Sequence, residues 1–308
     1  MRVRSRQGAY AALALLTLLW GANWVVMKLA MQFAHPMVFN AQRTLLAVVV
    51  LFGTLIARGG PLRPPSWAAI GITALLQTTL NMGATTMAVA AGGAGRTSVL
   101  VYTMPFWTLL LAWPILHERV RGLQWVAIAL AIAGLTLVVD PSAWRSDLTP
   151  KLWAILSGFG WAAGTVCMRY FARDHAVDLL NFTAWQMAIG SIPFMVVALA
   201  LDFPPTQWHA TFVLAGLYTS VVATAIGFLV WIDILRWLPA GTASLNMFAV
   251  PVIALLSSMA VFGEHLSPFE WTGIACIGAG LGVLAFGARR TRPGAANVLA
   301  PTTPGEGG

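Results

Sequence analysis

The segment SVLVYTMPFWTLLLAWPILHERV, Ser98–Val120, and a second one, SLNMFAVPVIALLSSMAVFGEHL, Ser244–Leu266, share one layout 146 residues apart. Each is an apolar run long enough to cross a bilayer, with a proline inside it and a glutamate near its end. Proline removes a backbone donor and clashes with the preceding turn, so its paired placement needs a reason. Sliding residues 94–135 onto 240–281 without a gap extends the match. Ala94/Ala240, Gly95/Gly241, Ser98/Ser244, Pro105/Pro251, Glu118/Glu264, Trp125/Trp271 and Gly134/Gly280 are among 13 identities in 42 positions. Apolar low-complexity sequence yields chance Leu and Ala matches, but it rarely aligns Pro, Glu, Trp and Gly at one offset. Earlier, WGANWVVMK (20–28) lies on WAAGTVCMR (161–169), pairing Trp20 with Trp161 and Lys28 with Arg169.

Composition sets the class. The chain has 308 residues, 58% hydrophobic and 9% charged, against about 25% charged in a soluble domain. We expect an all-α membrane protein. Windows of the necessary length fall at about 9–31, 36–57, 67–90, 95–116, 122–139, 151–171, 179–200, 209–232, 240–262 and 269–287. The basic start followed by an apolar stretch imitates a signal peptide. The stretch continues to Met31 without a small-residue cleavage site, so a retained first span is expected.

The expected organisation is a cytoplasmic N-terminus (1–8), a five-helix repeat (9–139), a linker (140–150), a second repeat (151–287) and a disordered basic, Pro/Gly-rich tail (288–308). Five is odd, so the second copy enters the membrane from the opposite side. Ten transmembrane helices then form two inverted five-helix repeats around a central cavity, the arrangement that places a substrate site near the bilayer midplane.

The formal charge of +8 reflects loop arginines and calls for no nucleic-acid partner. With the N-terminus inside, 13 of 18 Lys and Arg lie on the cytoplasmic side, which puts both termini there. The remaining five are Lys28, Arg43, Arg96, Arg145 and Lys151. Cys167 and Cys276 sit in apolar runs and read as packing residues. No catalytic or phosphate-binding motif occurs, so neither an enzyme nor a cofactor is expected. AGGAGR (91–96) follows a span and reads as a tight extracellular turn.

The pattern WGANWVVMK, then HPMVFNAQR opening span 2, then the paired Pro and Glu segments of spans 4 and 9, resembles the EamA-type branch of the drug/metabolite transporter superfamily. Within it the chain is similar to bacterial inner-membrane exporters of aromatic and neutral amino acids. The resemblance covers all ten spans. It implies ten helices around a central cavity with alternating access, a small-molecule substrate, the lipid bilayer as environment and an inner-membrane, multi-pass location. Oligomeric state is left open, with a monomer compatible.

Polar residues inside spans are costly in lipid, so they face protein or a water-filled cavity. Trp20, Asn23 and Trp24 lie on span 1; Asn23 binds substrate or bonds a neighbouring helix. Gln77 and Asn81, four apart on span 3, form a ligand-facing wall or a packing seam. Tyr102 with its repeat mate Phe248, then Trp161, Thr165, Trp185, Tyr218 and Asn246, are wall candidates against a reading as core or interfacial belt.

Arg43, inside span 2, holds a substrate carboxylate or caps carbonyls of a broken helix; the resemblance favours a structural or gating role. Pro105 and Pro251 are expected as paired hinges, or as kinks that only shape packing. Lys28 is expected to snorkel. Glu118 and Glu264 read as loop or gate anchors, since no Asp or Glu lies deep in a span. That absence favours uncoupled, facilitated export over a proton-coupled carrier of drugs or other metabolites.

Overall fold

A computed structural model of the chain describes residues 5–117, 120, 122–139, 148–171, 178–235, 237 and 249–290. All regular structure among them is helical. Helix α1 is Arg6–Ala30, capped by the Ser5 hydroxyl on the Gly8 amide. Helix α2 is Pro36–Ala57, with proline in the first turn, where a missing N–H costs nothing. The third passage joins α3 (Trp67–Thr73), a π-helical stretch (Ala74–Leu80) and α4 (Asn81–Gly92). The fourth is α5 (Ala94–Val101) followed by α6 (Met104–Leu116), and the fifth is α7 (Leu123–Val139).

The second half begins with α8 (Thr149–Phe171) and α9 (Leu179–Ala200). Then come α10 (Ala210–Leu217), a second π-helical stretch (Tyr218–Ile226) and α11 (Gly227–Leu235). Helices α12 (Ala249–Phe262) and α13 (Pro268–Arg290) close the chain. The offset of 146 residues that aligns the proline segments also carries 74–80 onto 220–226, so the two π-helical stretches occupy equivalent places.

Among the described residues, five helices are long and apolar enough to span a membrane: Gln7–Ala30, Pro36–Ala57, Ala94–Leu116, Leu179–Ala200 and Ala210–Trp231. Leu123–Val138 and Ala249–Phe262 are apolar but shorter. The passage over 67–92 carries Gln77, Asn81 and five threonines, and that polarity is turned inward. Large apolar side chains point outward instead. Leu199 is 85% exposed, and Val49, Ile56, Leu75, Ile132, Val196, Leu214 and Leu256 are exposed with it. A soluble protein does not leave so wide an apolar surface uncovered.

Helix pairing follows the duplication. Helix α2 packs on α9, and α7 on α13, each passage on its own repeat mate. Helix α1 packs on α10, α11 and the π-helical stretch between them, and on α12. Its mate α8 packs on α3, α4 and their π-helical stretch, and on α5 and α6.

One expectation changes here. The break in the fourth passage lies at Tyr102–Thr103, ahead of Pro105, which occupies the first turn of α6. Pro105 does not interrupt a running helix; it begins one, where its fixed φ and missing donor fit. Pro251 lies within α12, and the residues before Ala249 are outside the described ones. AGGAGR holds a tight turn one residue wide. Gly93 alone, at φ 95, turns the corner between α4 and α5, and its neighbours are helical.

Candidate functional site

The sequence candidates gather into two clusters stitched by side-chain-to-backbone hydrogen bonds. In the first, Trp20 Nε1 donates to the Ala223 carbonyl at 2.8 Å, and Tyr218 OH donates to the Leu19 carbonyl at 2.8 Å. These bonds tie α1 to the π-helical stretch over 218–226. The indole bonds a backbone carbonyl inside that π-helical stretch. The contact requires glycine at 227, because a Cβ there would lie 2.7 Å from Trp20 Nε1. The Trp20 ring also packs beside Phe228 and Trp231, with centroids 6.4 and 6.0 Å away.

The second cluster mirrors the first. Gln77 Nε2 donates to the Trp161 carbonyl at 3.3 Å and to Thr165 Oγ1 at 2.9 Å. Gln186 Nε2 donates to Gln77 Oε1 at 3.1 Å, so one carboxamide joins three passages. Asn81 Nδ2 donates to the Ser157 carbonyl at 3.0 Å and to its hydroxyl at 2.8 Å. Thr85 and Ser157 share a hydroxyl bond of 2.6 Å. The faces of Gln77 and Asn81 are thus engaged by α8 as a polar seam. Trp161 contributes its carbonyl to that seam.

The next candidates along the chain are Asn23, Trp24 and Tyr102. Trp24 is 7% and Tyr102 8% exposed, within one continuous apolar core. Tyr102 occupies the break between α5 and α6. Asn23 buries its Oδ1 with no donor on it. Arg43 is 8% exposed; its Nη1 lies 3.1 Å from Met27 Sδ, and its buried Nε has no partner among the described residues. Helix α5 meets α12 through the Ser98 hydroxyl, 3.5 Å from the Pro251 carbonyl.

Trp185 stands apart from both clusters, contrary to its expected place on a midplane wall. Its indole donates to the Leu62 carbonyl at 2.8 Å and packs edge-on against Phe52 and Trp67. It pins the segment between α2 and α3 to α9. Asn246 and Phe248 lie outside the described residues, as does Glu118.

One network escaped the sequence reading. Lys28 does not snorkel: its Nζ lies 2.9 Å from Glu264 Oε1, and the ammonium sits over the Phe262 ring at 4.4 Å. The same carboxylate accepts the Ala94 amide at 3.0 Å and the Gly95 amide at 3.3 Å, capping α5. Arg96 Nε pairs with Glu270 Oε1 at 2.8 Å, and Glu270 closes a capping box with Ser267. Burial pushes the Glu264 carboxyl up. The nearby Ser258 hydroxyl, the Lys28 bond and charge, and the Ala94 amide outweigh that, leaving it below its ordinary value. The repeat alignment had paired Glu264 with Glu118 and Ala94 with Ala240, but gave no means of seeing Lys28, 236 residues away, as the partner.

At the same end, Gln207 N donates to the Phe33 carbonyl at 2.9 Å, and Gln42 Nε2 donates to Thr206 Oγ1 at 3.1 Å. Phe33 stacks on His209, and His35 on Phe203. Two clefts open elsewhere. One of about 250 Å³ touches Arg96, Thr97, Lys151 and Glu270; one of about 690 Å³ touches Leu110, Trp113, Pro114 and His117. Neither is lined by the candidate residues. Among the described residues, no group of His, Cys, Asp or Glu could hold a metal ion.

Comparison with known proteins places this architecture. The model of the EamA-like transporter family matches twice, over residues 7–140 and 149–286. The chain is 27% identical over 302 residues to a probable amino-acid metabolite efflux pump of Escherichia coli strain K12, covering 92% of this chain and 97% of that one. It is 28% identical over 269 residues to the uncharacterized transporter YvbV of Bacillus subtilis strain 168, covering 86% and 87%. A solved crystal structure superposes with TM-score 0.63 at 22% identity, covering 93% of this chain and 100% of that one, which speaks for the fold.

Proposed function

From the premise that this chain belongs to the EamA-like transporter family, we propose that it exports neutral and aromatic amino acids, or similar small amphipathic metabolites, across a bacterial inner membrane. It is a multi-pass membrane transporter, not an enzyme. The finer reading is alternating access by two inverted five-helix repeats with both termini cytoplasmic.

One observation carries it: the mirrored exchange of bonds between halves. Trp20 reaches the π-helical stretch of the second half at Ala223, while Gln77, in the π-helical stretch of the first half, reaches Trp161. Trp20 and Trp161 are repeat mates. Two halves that grip each other through equivalent contacts can exchange roles at similar energy, as alternating access demands.

The substrate route then runs between the halves. Asn23, Trp24 and Tyr102, with the indole faces of Trp20 and Trp161, form its wall. Gln77, Asn81 and Thr165 hold the seam beside it. The efflux-pump relative supports amino acids as the substrate class. Export is uncoupled, because no carboxylate lies deep in a span.

Counterflow in proteoliposomes against a panel of the twenty amino acids tests the substrate class. Accelerated exchange of neutral members supports it; no exchange of any refutes it. An imposed pH gradient tests coupling. Substrate accumulation driven by the gradient would overturn the uncoupled reading.

A further inference from the structure

Arg43 carries a charge into an apolar helix, and among the described residues no carboxylate pairs with it. Its guanidinium is 8% exposed, touches Met27 Sδ at 3.1 Å and leaves Nε without a partner among the described residues. Among the described side chains, Glu264 pairs with Lys28, Glu270 pairs with Arg96, Asp178 caps the start of α9 and Asp202 is exposed; none forms an ion pair with Arg43. A buried cation held only by a thioether is expensive, and the cost is relieved when an anion arrives.

The complementary group stands nearby. Asn23 lies one helical turn before Met27 on the same face of α1, and its buried Oδ1 accepts no hydrogen bond from the described residues. Its depth matches. Asn23 is seven residues before the end of α1 at Ala30, and Arg43 is seven residues after the start of α2 at Pro36. At 1.5 Å per residue both lie about 10 Å inside the same end of the bundle. Residues 31–35 join the two helices there, so the groups face one level across the Met27 contact.

We propose that Arg43 and Asn23 together read the zwitterionic head of the substrate. The Arg43 guanidinium donates to the α-carboxylate, and Asn23 Oδ1 accepts from the α-ammonium. An amino acid satisfies both orphaned groups at once, with its side chain left for the apolar wall at Trp24. An amine leaves the arginine unpaired, and a carboxylic acid leaves the asparagine oxygen unpaired. The proposal gives Arg43 a binding role in place of the gating role that the family resemblance favoured. It rests on the amino-acid reading above.

The test is labelled-leucine counterflow in proteoliposomes of the full chain, with leucine, 3-methylbutylamine and 4-methylpentanoate as competitors. In the wild type, each analogue lacking one head group should compete about tenfold more weakly than leucine, the effect of one charge-assisted hydrogen bond. Arg43→Gln should erase the preference over the amine and keep the preference over the acid. Asn23→Leu should do the reverse, and Arg43→Lys should restore part of the first preference.

Ratios within one variant are independent of how much protein folds, and the wild-type ratios need no variant. Wild type that exchanges leucine yet accepts either analogue equally, or Arg43→Gln with an unchanged leucine-to-amine ratio, overturns the pair and leaves the amino-acid reading standing. Wild type that exchanges no amino acid removes both.

Discussion

Lys28 Nζ and Glu264 Oε1 are 2.9 Å apart, joining the end of α1 to the segment after α12, and the same carboxylate caps the first amides of α5. Three passages from both halves meet on one acid. Its pKa is held below the ordinary carboxylate value of 4.5. The stabilisation is therefore complete above about pH 4.5 and drains away as pH falls through the lower folded value. Glu264→Gln should lower stability by about 1–3 kcal/mol at neutral pH. Thermal unfolding in detergent checks it: the gap to wild type should close in acid. A gap that persists undiminished at pH 3 would contradict the latch.

Gly227→Ala should be more disruptive than its size suggests. The added methyl would lie 2.7 Å from Trp20 Nε1 and force the indole off the Ala223 carbonyl. Overpacking of this kind costs about 1–3 kcal/mol. The double variant Trp20→Phe, Gly227→Ala should recover part of it. A loss identical in the presence and absence of the indole nitrogen would show that the clash lies elsewhere.

Gln77→Leu should act at a distance. It strips the acceptor from Gln186 and the donor from Thr165 and the Trp161 carbonyl. In a membrane interior such bonds are worth about 1–2 kcal/mol, so the variant should unfold at lower temperature. Pairing it with Gln186→Leu should cost less than the sum of the two, because both ends of one bond are then apolar. Strict additivity would contradict the shared bond.

Much of the fold was legible because duplication leaves a mark that composition cannot imitate. Pro105 and Pro251, Glu118 and Glu264, and Trp20 and Trp161 mark the duplication, which the family match over 7–140 and 149–286 bears out. The position of the break was not legible. A proline signals that a helix is interrupted or begun, and only backbone geometry tells which. The π-helical stretches left no mark either, because ALLQTTL and YTSVVATAI read as ordinary apolar helix. In the site, spacing put Gln77 and Asn81 on one face correctly, but whether that face met a helix or a cavity depended on α8, some 80 residues later. Trp185 failed for the same reason: an indole suits a cavity wall and a loop clasp equally well.

The proline geometry yields its own prediction. Because Pro105 starts α6 and does not interrupt a helix, Pro105→Ala should change stability by less than about 1 kcal/mol. It also restores a donor at the break, where it favours a continuous helix over the bend. If the bend works as a hinge, exchange should slow while the unfolding temperature hardly moves. Unaltered exchange would leave the break a feature of packing alone.

The central claim is passage of neutral amino acids between the two halves. Counterflow of labelled phenylalanine in proteoliposomes, compared across wild type, Tyr102→Ala and Trp161→Ala, tests it most directly. The account predicts rapid exchange by the wild type and a clear loss in both variants, with each still folded in detergent. Exchange by all three at the same rate, or by none of them, would contradict it.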